Sequence, residues 1–379
     1  MSLSRRKFLI RSVQCIVACG LFPGLSACDG ITREEVMNDS GYDELVSLIG
    51  RERTEILRYA SFAPSSHNVQ PWTVSIKSPD NWVIGSAEDR WLTEVDPQNR
   101  EMLLSIGAFL ENVVIAAKAH GFQVNIRLLA RNPFDPELLS IELQNAQRME
   151  YPLQRLLERR TVRTVFKDED IDPLDFSFLA GGEESIHYYP RHSTQSTWLD
   201  EASVSATKLQ IERENVQEEL SRWIRWSDAE ACKYRNGLTP EALDITGLAG
   251  WYVRNFYGSR DVLGKDFRTA TVERVKRQIA QSGGWIVVTS ENDRISALIE
   301  TGRCFERMFL SAKDRSVGIH PMSQVLEEPL LSEKAAEMLR LDKPPQFLLR
   351  VGYLKDYPSP VSLRMPLDGF TTLNENGKE

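Results

Sequence analysis

Ala63-Pro64-Ser65-Ser66-His67-Asn68-Val69-Gln70-Pro71-Trp72 is the stretch on which the reading of this 379-residue chain turns. Pro64 and Pro71 fix φ and remove amide donors, so the helix suggested by Glu52 to Ala60 cannot run on through them. Between the prolines, Ser65, Ser66, Asn68 and Gln70 offer hydroxyls and carboxamides, neutral groups that both donate and accept toward a polar planar ring or a phosphate. Thr73-Val74-Ser75-Ile76 then alternates as a half-buried strand does. His67 reads as a solvated loop histidine rather than as a catalytic one.

An internal repeat organises the rest. Gly107 to Lys118 (GAFLENVVIAAK) aligns with Gly302 to Lys313 (GRCFERMFLSAK) without a gap; Gly, Glu, Ala and Lys coincide and the apolar positions stay apolar. Both segments carry a helical stripe, Leu103, Ile106, Leu110, Val113, Val114 and Ala117 in one and Leu298, Phe305, Phe309 and Ala312 in the other. Gly121 and Gly318 stand where helix-ending glycines belong. Strand-like runs flank each copy: Trp72 to Ile76, Asn81 to Gly85 and Gln123 to Leu129 around the first, Trp285 to Thr289 and Gln346 to Tyr353 around the second. The pattern implies duplication of one α+β unit.

The proline-bracketed loop resembles the A-P-S-x-x-N-x-Q-P-W signature of the FMN-dependent nitroreductase family. That resemblance implies an α+β nitroreductase-like fold in which two tandem halves form an intramolecular pseudo-dimer, since family members are usually homodimers with FMN at the subunit interface. It implies a monomer with one FMN held between the halves. Three elements surround a flavin in the family, and this chain has one of each. The loop contributes Pro64, Ser65, Ser66, Asn68 and Gln70. An Arg-x-Ser/Thr-x-Arg/Lys motif matches Arg159, Thr161 and Arg163, whose alternate spacing puts three donors on one face of an extended segment, a geometry suited to a terminal phosphate. A C-terminal base matches Arg364. Pro321, Ser323 and Gln324 match a proline-containing turn whose amides face the flavin N5 edge, while His320 reads as structural. The resemblance implies no catalytic side chain, because flavin carries the redox chemistry. The expected activity is ping-pong reduction of planar acceptors of quinone or nitroaromatic type, the alternative being storage of FMN without turnover.

Trp198, Trp223, Trp226, Trp251, Tyr252, Phe256 and Tyr257, interleaved with Arg222, Arg225, Arg235 and Arg254, fall in a region the halves do not share, about 196–270. They read either as a lid over the flavin face or as tryptophans packed on the core. The resulting organisation is a leader 1–27, a tether 28–41, a first half 42–150 and a second half 151–370 containing the insertion.

Arg5-Arg6 ahead of a modestly apolar stretch ending Leu25-Ser26-Ala27-Cys28 reads as a twin-arginine export signal with a lipoprotein cleavage site. Cys28 would carry the lipid, and Asp29 resembles an inner-membrane retention signal, so the expectation is a periplasmic-side protein touching the membrane through its anchor only. Outside the cytoplasmic membrane a quinol or membrane redox partner becomes the expected donor in place of NAD(P)H. The net charge is −8, and the leader holds Arg5, Arg6, Lys7 and Arg11 with no acid, so the exported part is more acidic still. That argues against nucleic acid as a partner. Of five cysteines only Cys232 and Cys304 lie beyond the anchor, and they read as two packed free thiols rather than a disulfide framework or metal set.

Overall fold

The computed structural model describes residues 32–37 and 40–373; the expected leader, with its export motif and the expected lipidation at Cys28, lies outside them. The first half forms an antiparallel sheet from β1 (Trp72–Ser78), β2 (Asn81–Ser86), β3 (Phe122–Leu128) and β4 (Glu137–Asn145), in the order β3-β4-β2-β1. The second half forms another from β5 (Ile186–Tyr189), β6 (Gly284–Thr289), β7 (Val317–Pro321) and β8 (Pro345–Tyr353), in the order β7-β8-β6-β5. The strand order is the same, and in each half the repeat helix connects the second strand to the third. The fold is the expected α+β arrangement of two tandem nitroreductase-like halves.

Each sheet is built from its burial pattern. Trp72, Val74 and Ile76 of β1 point inward, and the Trp72 ring stacks on Phe109 of the helix Arg100–Ala119 at 4.9 Å. β6 is buried at every residue. Its Ile286 and Val288 face the helix Ile295–Ser311, while Trp285 and Val287 meet the insertion helices through Leu199, Ala202 and Val275. Cover on both faces explains why this strand reads as a continuous apolar run instead of alternating.

The two repeat helices pack against each other more extensively than any other pair of elements. Their crossing is reciprocal. A Cβ on Gly107 would lie 2.1 Å from the Ile299 carbonyl oxygen and 2.9 Å from the Gly302 Cα; a Cβ on Gly302 would lie 2.0 Å from the Leu104 carbonyl oxygen and 3.0 Å from the Gly107 Cα. Leu104 and Ile299 occupy the same position of the repeat, so residue i meets j as j meets i, the signature of a two-fold interface. The 100–119 helix is long and apolar enough to cross a membrane, yet it is buried here between its own sheet and its partner helix.

Several features were not foreseen. β9 (Thr371–Leu373), just past the expected end of the second half, joins the first sheet parallel to β1, so the chain crosses back between halves. The insertion fills the β5–β6 connection, where the first half has only the turn at Pro79-Asp80. Within the expected tether, Arg33–Val36 forms a helical turn with a Thr32/Glu35 capping box and a buried Val36. Gly318 does not end a helix; the helix stops at Ser311, and Gly318 lies in β7, where a Cβ would meet the Phe166 ring at 2.5 Å. Of the thiols, Cys304 is buried but Cys232 is exposed.

The crossing yields a prediction. Gly107→Ala and Gly302→Ala each force backbone apart at the helix contact, and each is expected to destabilise the protein by about 3 kcal/mol. Gly181→Ala, where a Cβ meets nothing within 4 Å, serves as the comparison despite its positive φ. Denaturant midpoints at constant m-value read the difference.

Candidate functional site

The extended segment after the helix Gln154–Glu158 lays Thr161 in a parallel bridge beside Ile319 of the edge strand β7. That single pairing sets the Arg159-Thr161-Arg163 run along the end of β7, where the chain continues through Pro321 into Ser323 and Gln324. The proline-bracketed loop of the first half comes up against them. Pro64, Ser65 and Ser66 from the first half and Thr161, Arg163, Pro321, Ser323 and Gln324 from the second line one cavity of about 310 Å³.

The loop reaches this position in a constrained backbone. His67, Asn68 and Gln70 all have φ near +50°, a region L-residues other than Asn and Asp avoid. Hydrogen bonds hold it there: the Gln70 amide donates to Ser65 Oγ at 2.9 Å, and Arg90 Nη1 donates to the Gln70 carbonyl at 2.7 Å. Such strain persists only where surroundings over-determine it.

Four expected ligand-binding residues do not line the cavity. Asn68 Nδ2 donates to the carbonyls of Gly237 and Leu363 at 3.0 and 3.1 Å, and Gln70 Nε2 donates to Arg235 O at 3.1 Å. Gln70 Oε1 accepts from the Met365 amide. Arg364 donates to Asn68 Oδ1 at 2.9 Å and to Phe62 O at 3.0 Å, and Arg159 donates to the same Phe62 carbonyl at 3.0 Å. These side chains splice the loop to the returning C-terminal segment and to the insertion. Arg159 also sits 3.6 Å from the fully buried Glu306, whose carboxyl burial pushes up to about 8 in spite of that guanidinium. Arg364 is held well below the usual arginine range by burial and by Arg159 and Arg33.

The cavity is electrically polarised. At one end stands Arg163, lowered to about 10 by burial, which donates through Nη1 to Ala242 O at 2.7 Å and through its amide to Asp244. Arg274, one helical turn beyond the cavity-lining Thr271, adds a second positive charge that depresses Arg163 and His320. At the other end are Glu101 and Glu327. Glu101 accepts from the Ser66 hydroxyl and from Arg100 at 2.8 Å. Glu327 accepts from Gln210 Nε2 at 2.6 Å and is raised well above the carboxylate range by burial and by Glu101.

His67 feels both charges and is half-buried, with its Nδ1 sealed from solvent. Burial lowers it to about 4, with Glu101 opposing and Arg163 assisting. Its Nδ1, the His320 Nδ1 and the Gln324 Oε1 are buried without a protein partner, an uncommon condition that costs about 1–3 kcal/mol per group unless a ligand or water answers it. Sequence reasoning passed over His67, Glu101 and Glu327. The signal available for Glu101 was an acid in the first turn of an otherwise apolar helix.

The insertion does close the site, though not with the expected aromatics. Thr207, Gln210, Gln217, Leu220, Leu238 and Leu243 line the cavity beside Ser65 and Arg163. Trp226 instead packs with Tyr257 and Phe267, Trp198 packs under β6, and Trp251 meets Phe256 edge-on. Arg225 lies over Trp223 and Tyr234, and its Nε donates to Asn236 O at 2.9 Å. Trp198, Trp223 and Trp226 serve packing, whereas Trp251 and Phe256 meet each other at an exposed face.

Two predictions follow from this geometry. Asn68→Ala removes the side-chain donor of the buried Gly237 carbonyl, one of the donors of the Leu363 carbonyl and one acceptor of the Arg364 guanidinium, so a stability loss of about 1–3 kcal/mol is expected, read as a fall in unfolding midpoint without bound ligand. The second concerns pH. Because His67 is depressed in the folded state, the unfolded chain takes up a proton that the folded chain refuses once pH falls below about 6.5. Stability contributed above that pH is lost on the way down to about 4. His67→Asn, which tolerates the left-handed backbone, is expected to recover up to about 3 kcal/mol of this loss, measured as the difference between wild-type and variant unfolding free energies across that window.

No family model matches the chain. Among curated proteins, Mycobacterium tuberculosis Rv3131, named provisionally as an NAD(P)H nitroreductase, is 37% identical over 317 residues, covering 79% of this chain and 84% of its own. PigM of a Serratia species, named in the same terms, is 21% identical over 322 residues, 81% of this chain and 90% of its own. A solved structure described as a nitroreductase from Anabaena variabilis aligns over 90% of this chain and 97% of its own at 12% identity with a TM-score of 0.38. At the identity and coverage shared with Rv3131, the chain belongs to the nitroreductase family of oxidoreductases.

Proposed function

We propose that the chain is an FMN-binding oxidoreductase that reduces planar acceptors of quinone or nitroaromatic type by alternating with a donor at the same site. The observation that carries this reading is the single cavity in which Pro64, Ser65 and Ser66 of one half meet Thr161 and Arg163 of the other.

The lining suits a flavin mononucleotide on its own chemistry. A phosphate requires donors and positive charge, and Arg163, the Thr161 hydroxyl and the nearby Arg274 provide them at one end. The orphaned His67 Nδ1, His320 Nδ1 and Gln324 Oε1 require a ligand edge that both donates and accepts, as the pyrimidine side of an isoalloxazine does. The volume lies at the lower end of ligand sites, roughly 300–1,000 Å³. With Arg159 and Arg364 committed to Phe62 O, the phosphate clamp rests on fewer bases than the resemblance implied.

Bound flavin would supply hydride or electron transfer. The residues of the chain then divide the remaining tasks. Arg163 and Thr161 anchor, Ser65 and Ser66 border the ring cleft, and Leu220, Leu238 and Leu243 exclude water from it. Glu327, whose carboxyl is raised well above the usual range by burial and by Glu101, can hold a proton at the acidic end.

The twin-arginine leader and Cys28 support a further part of the proposal, that the enzyme is exported and lipid-anchored on the periplasmic side of the inner membrane. The relatives' names carry NAD(P)H, a donor confined to the cytoplasm; an exported enzyme would draw on a quinol or a membrane redox partner. A second reading, FMN storage without turnover, is favoured by the small cavity and by the insertion closing over it.

The test is a visible spectrum of the purified full chain, followed by anaerobic reduction and addition of quinones. The expected result is bound yellow flavin that quinone reoxidises quickly. Arg163→Gln is expected to weaken FMN binding roughly ten- to a hundredfold. Slow or absent reoxidation assigns storage, and a colourless chain that takes up no FMN sinks both readings.

A further inference from the structure

The helix Gly247–Phe256 in the insertion carries an apolar face that is exposed among the described residues. Leu248 is 43% exposed, Trp251 42% and Phe256 59%. With the half-buried Tyr252 they fall at i, i+3, i+4 and i+8, one stripe of the helix. No charged residue interrupts it. Arg254, the helix's one charge, is turned to the opposite side and held by Glu241 and by Asp228 at 3.9 Å. The rings brace one another, Trp251 and Phe256 at 5.7 Å and Tyr252 and Phe256 at 4.9 Å, so the face is presented rather than collapsed.

The point at which the chain enters the structure says what covers it. Thr32, Arg33 and Glu34 line one cleft together with Asp228, Ala231 and Arg254. Val36 packs on Ala231. The N-terminal segment therefore arrives on the Arg254 side of this helix, about one helix diameter, 10–12 Å, from the stripe, and the four residues from Cys28 to Thr32 can span about 14 Å. A lipid on Cys28 would bring the bilayer surface within reach of the stripe. Tryptophan, tyrosine and phenylalanine on an uncharged helix face are the side chains that settle at the interface between headgroups and acyl chains. A lipid anchor holds the chain at the bilayer but does not orient it, so a second contact has a physical task.

We propose that the Gly247–Phe256 helix is a membrane-docking element that lies in the bilayer interface through Leu248, Trp251, Tyr252 and Phe256. The contact is apolar: Glu34 and Glu35 are exposed nearby, as are Arg260 and Lys265, so no single sign of charge steers it. Docking sets the membrane just beyond Leu243, four residues before the helix and itself a wall of the cavity. A lipid-soluble acceptor would then reach the cavity from the bilayer side; that last step rests on the flavin reading, and the docking rests on the lipid-anchor reading of Cys28.

The full chain is bound to phosphatidylcholine vesicles whose acyl chains are brominated near the headgroup, and tryptophan fluorescence is compared with that on unbrominated vesicles. Quenching is expected in the wild type, with most of it lost in Trp251→Phe. Backbone hydrogen exchange over 247–256 is expected to slow when vesicles are added. In Cys28→Ser, which removes the acyl anchor, weakened vesicle binding that survives high salt supports the helix contact. Equal quenching in wild type and Trp251→Phe overturns the proposal. So does protection of 247–256 without lipid, whether sedimentation shows a second copy covering the stripe or a monomer whose own leader covers it. Neither readout depends on FMN, so a colourless but vesicle-bound chain would separate failure of the flavin reading from failure of this one.

Discussion

Two glycines at one position of an internal repeat let two helix backbones touch, and the rest of the molecule is arranged around that contact. With a side chain on either Gly107 or Gly302 the helices could not approach, and the sheets they carry would be held apart. Close approach without side chains brings many atoms into van der Waals range at once, each worth little and together considerable. The reciprocity of Leu104 with Gly302 and Ile299 with Gly107 makes one chain behave as a two-fold dimer folded onto itself. A cleft between halves follows from that geometry, as ligand sites do at other domain interfaces.

The symmetry is then broken by charge. Glu111 and Glu306 hold the same repeat position and both are buried, yet Glu111 pairs with the half-buried Arg303 at 2.8 Å and Arg307 at 3.2 Å, while Glu306 is sealed beside Arg159. With the Asn112 amide in its hydrogen-bonded orientation, its nitrogen donates to Glu306 and its oxygen accepts from the Ala63 amide at 3.2 Å. One member of the pair ties the opposite repeat helix through two arginines and the other is a brace beneath the proline-bracketed loop. The buried brace is expensive to ionise, which fits a position that fixes geometry more than it adds stability.

The loop shows how far residue types alone could be read. Its polar groups were legible as a ligand-facing set, and Ser65 and Ser66 do border the cavity with Thr161, Arg163, Pro321, Ser323 and Gln324. Asn68, Gln70, Arg159 and Arg364 have the same chemistry but are consumed by backbone carbonyls of Phe62, Arg235, Gly237 and Leu363. A buried carbonyl requires a donor wherever it lies, and nothing in a linear sequence tells which side chain will be closest. The same limit hid His67, whose desolvation between Glu101 and Arg163 depends on three segments meeting.

The linear chain by itself determined the elements and their duplication: amphipathic stripes, proline-bounded loops and a matched pair of helices are local patterns, enforced by backbone sterics and by the period of each structure. It also determined the family, because a short polar loop between prolines is specific. Tertiary structure alone decided the return of β9 to the first sheet, the division of the chemically similar polar groups into lining and brace, and the outward turn of Leu248, Trp251 and Phe256. Those outcomes depend on which distant segments compete for the same buried donor, acceptor or apolar surface, and that competition exists only once the chain has closed on itself.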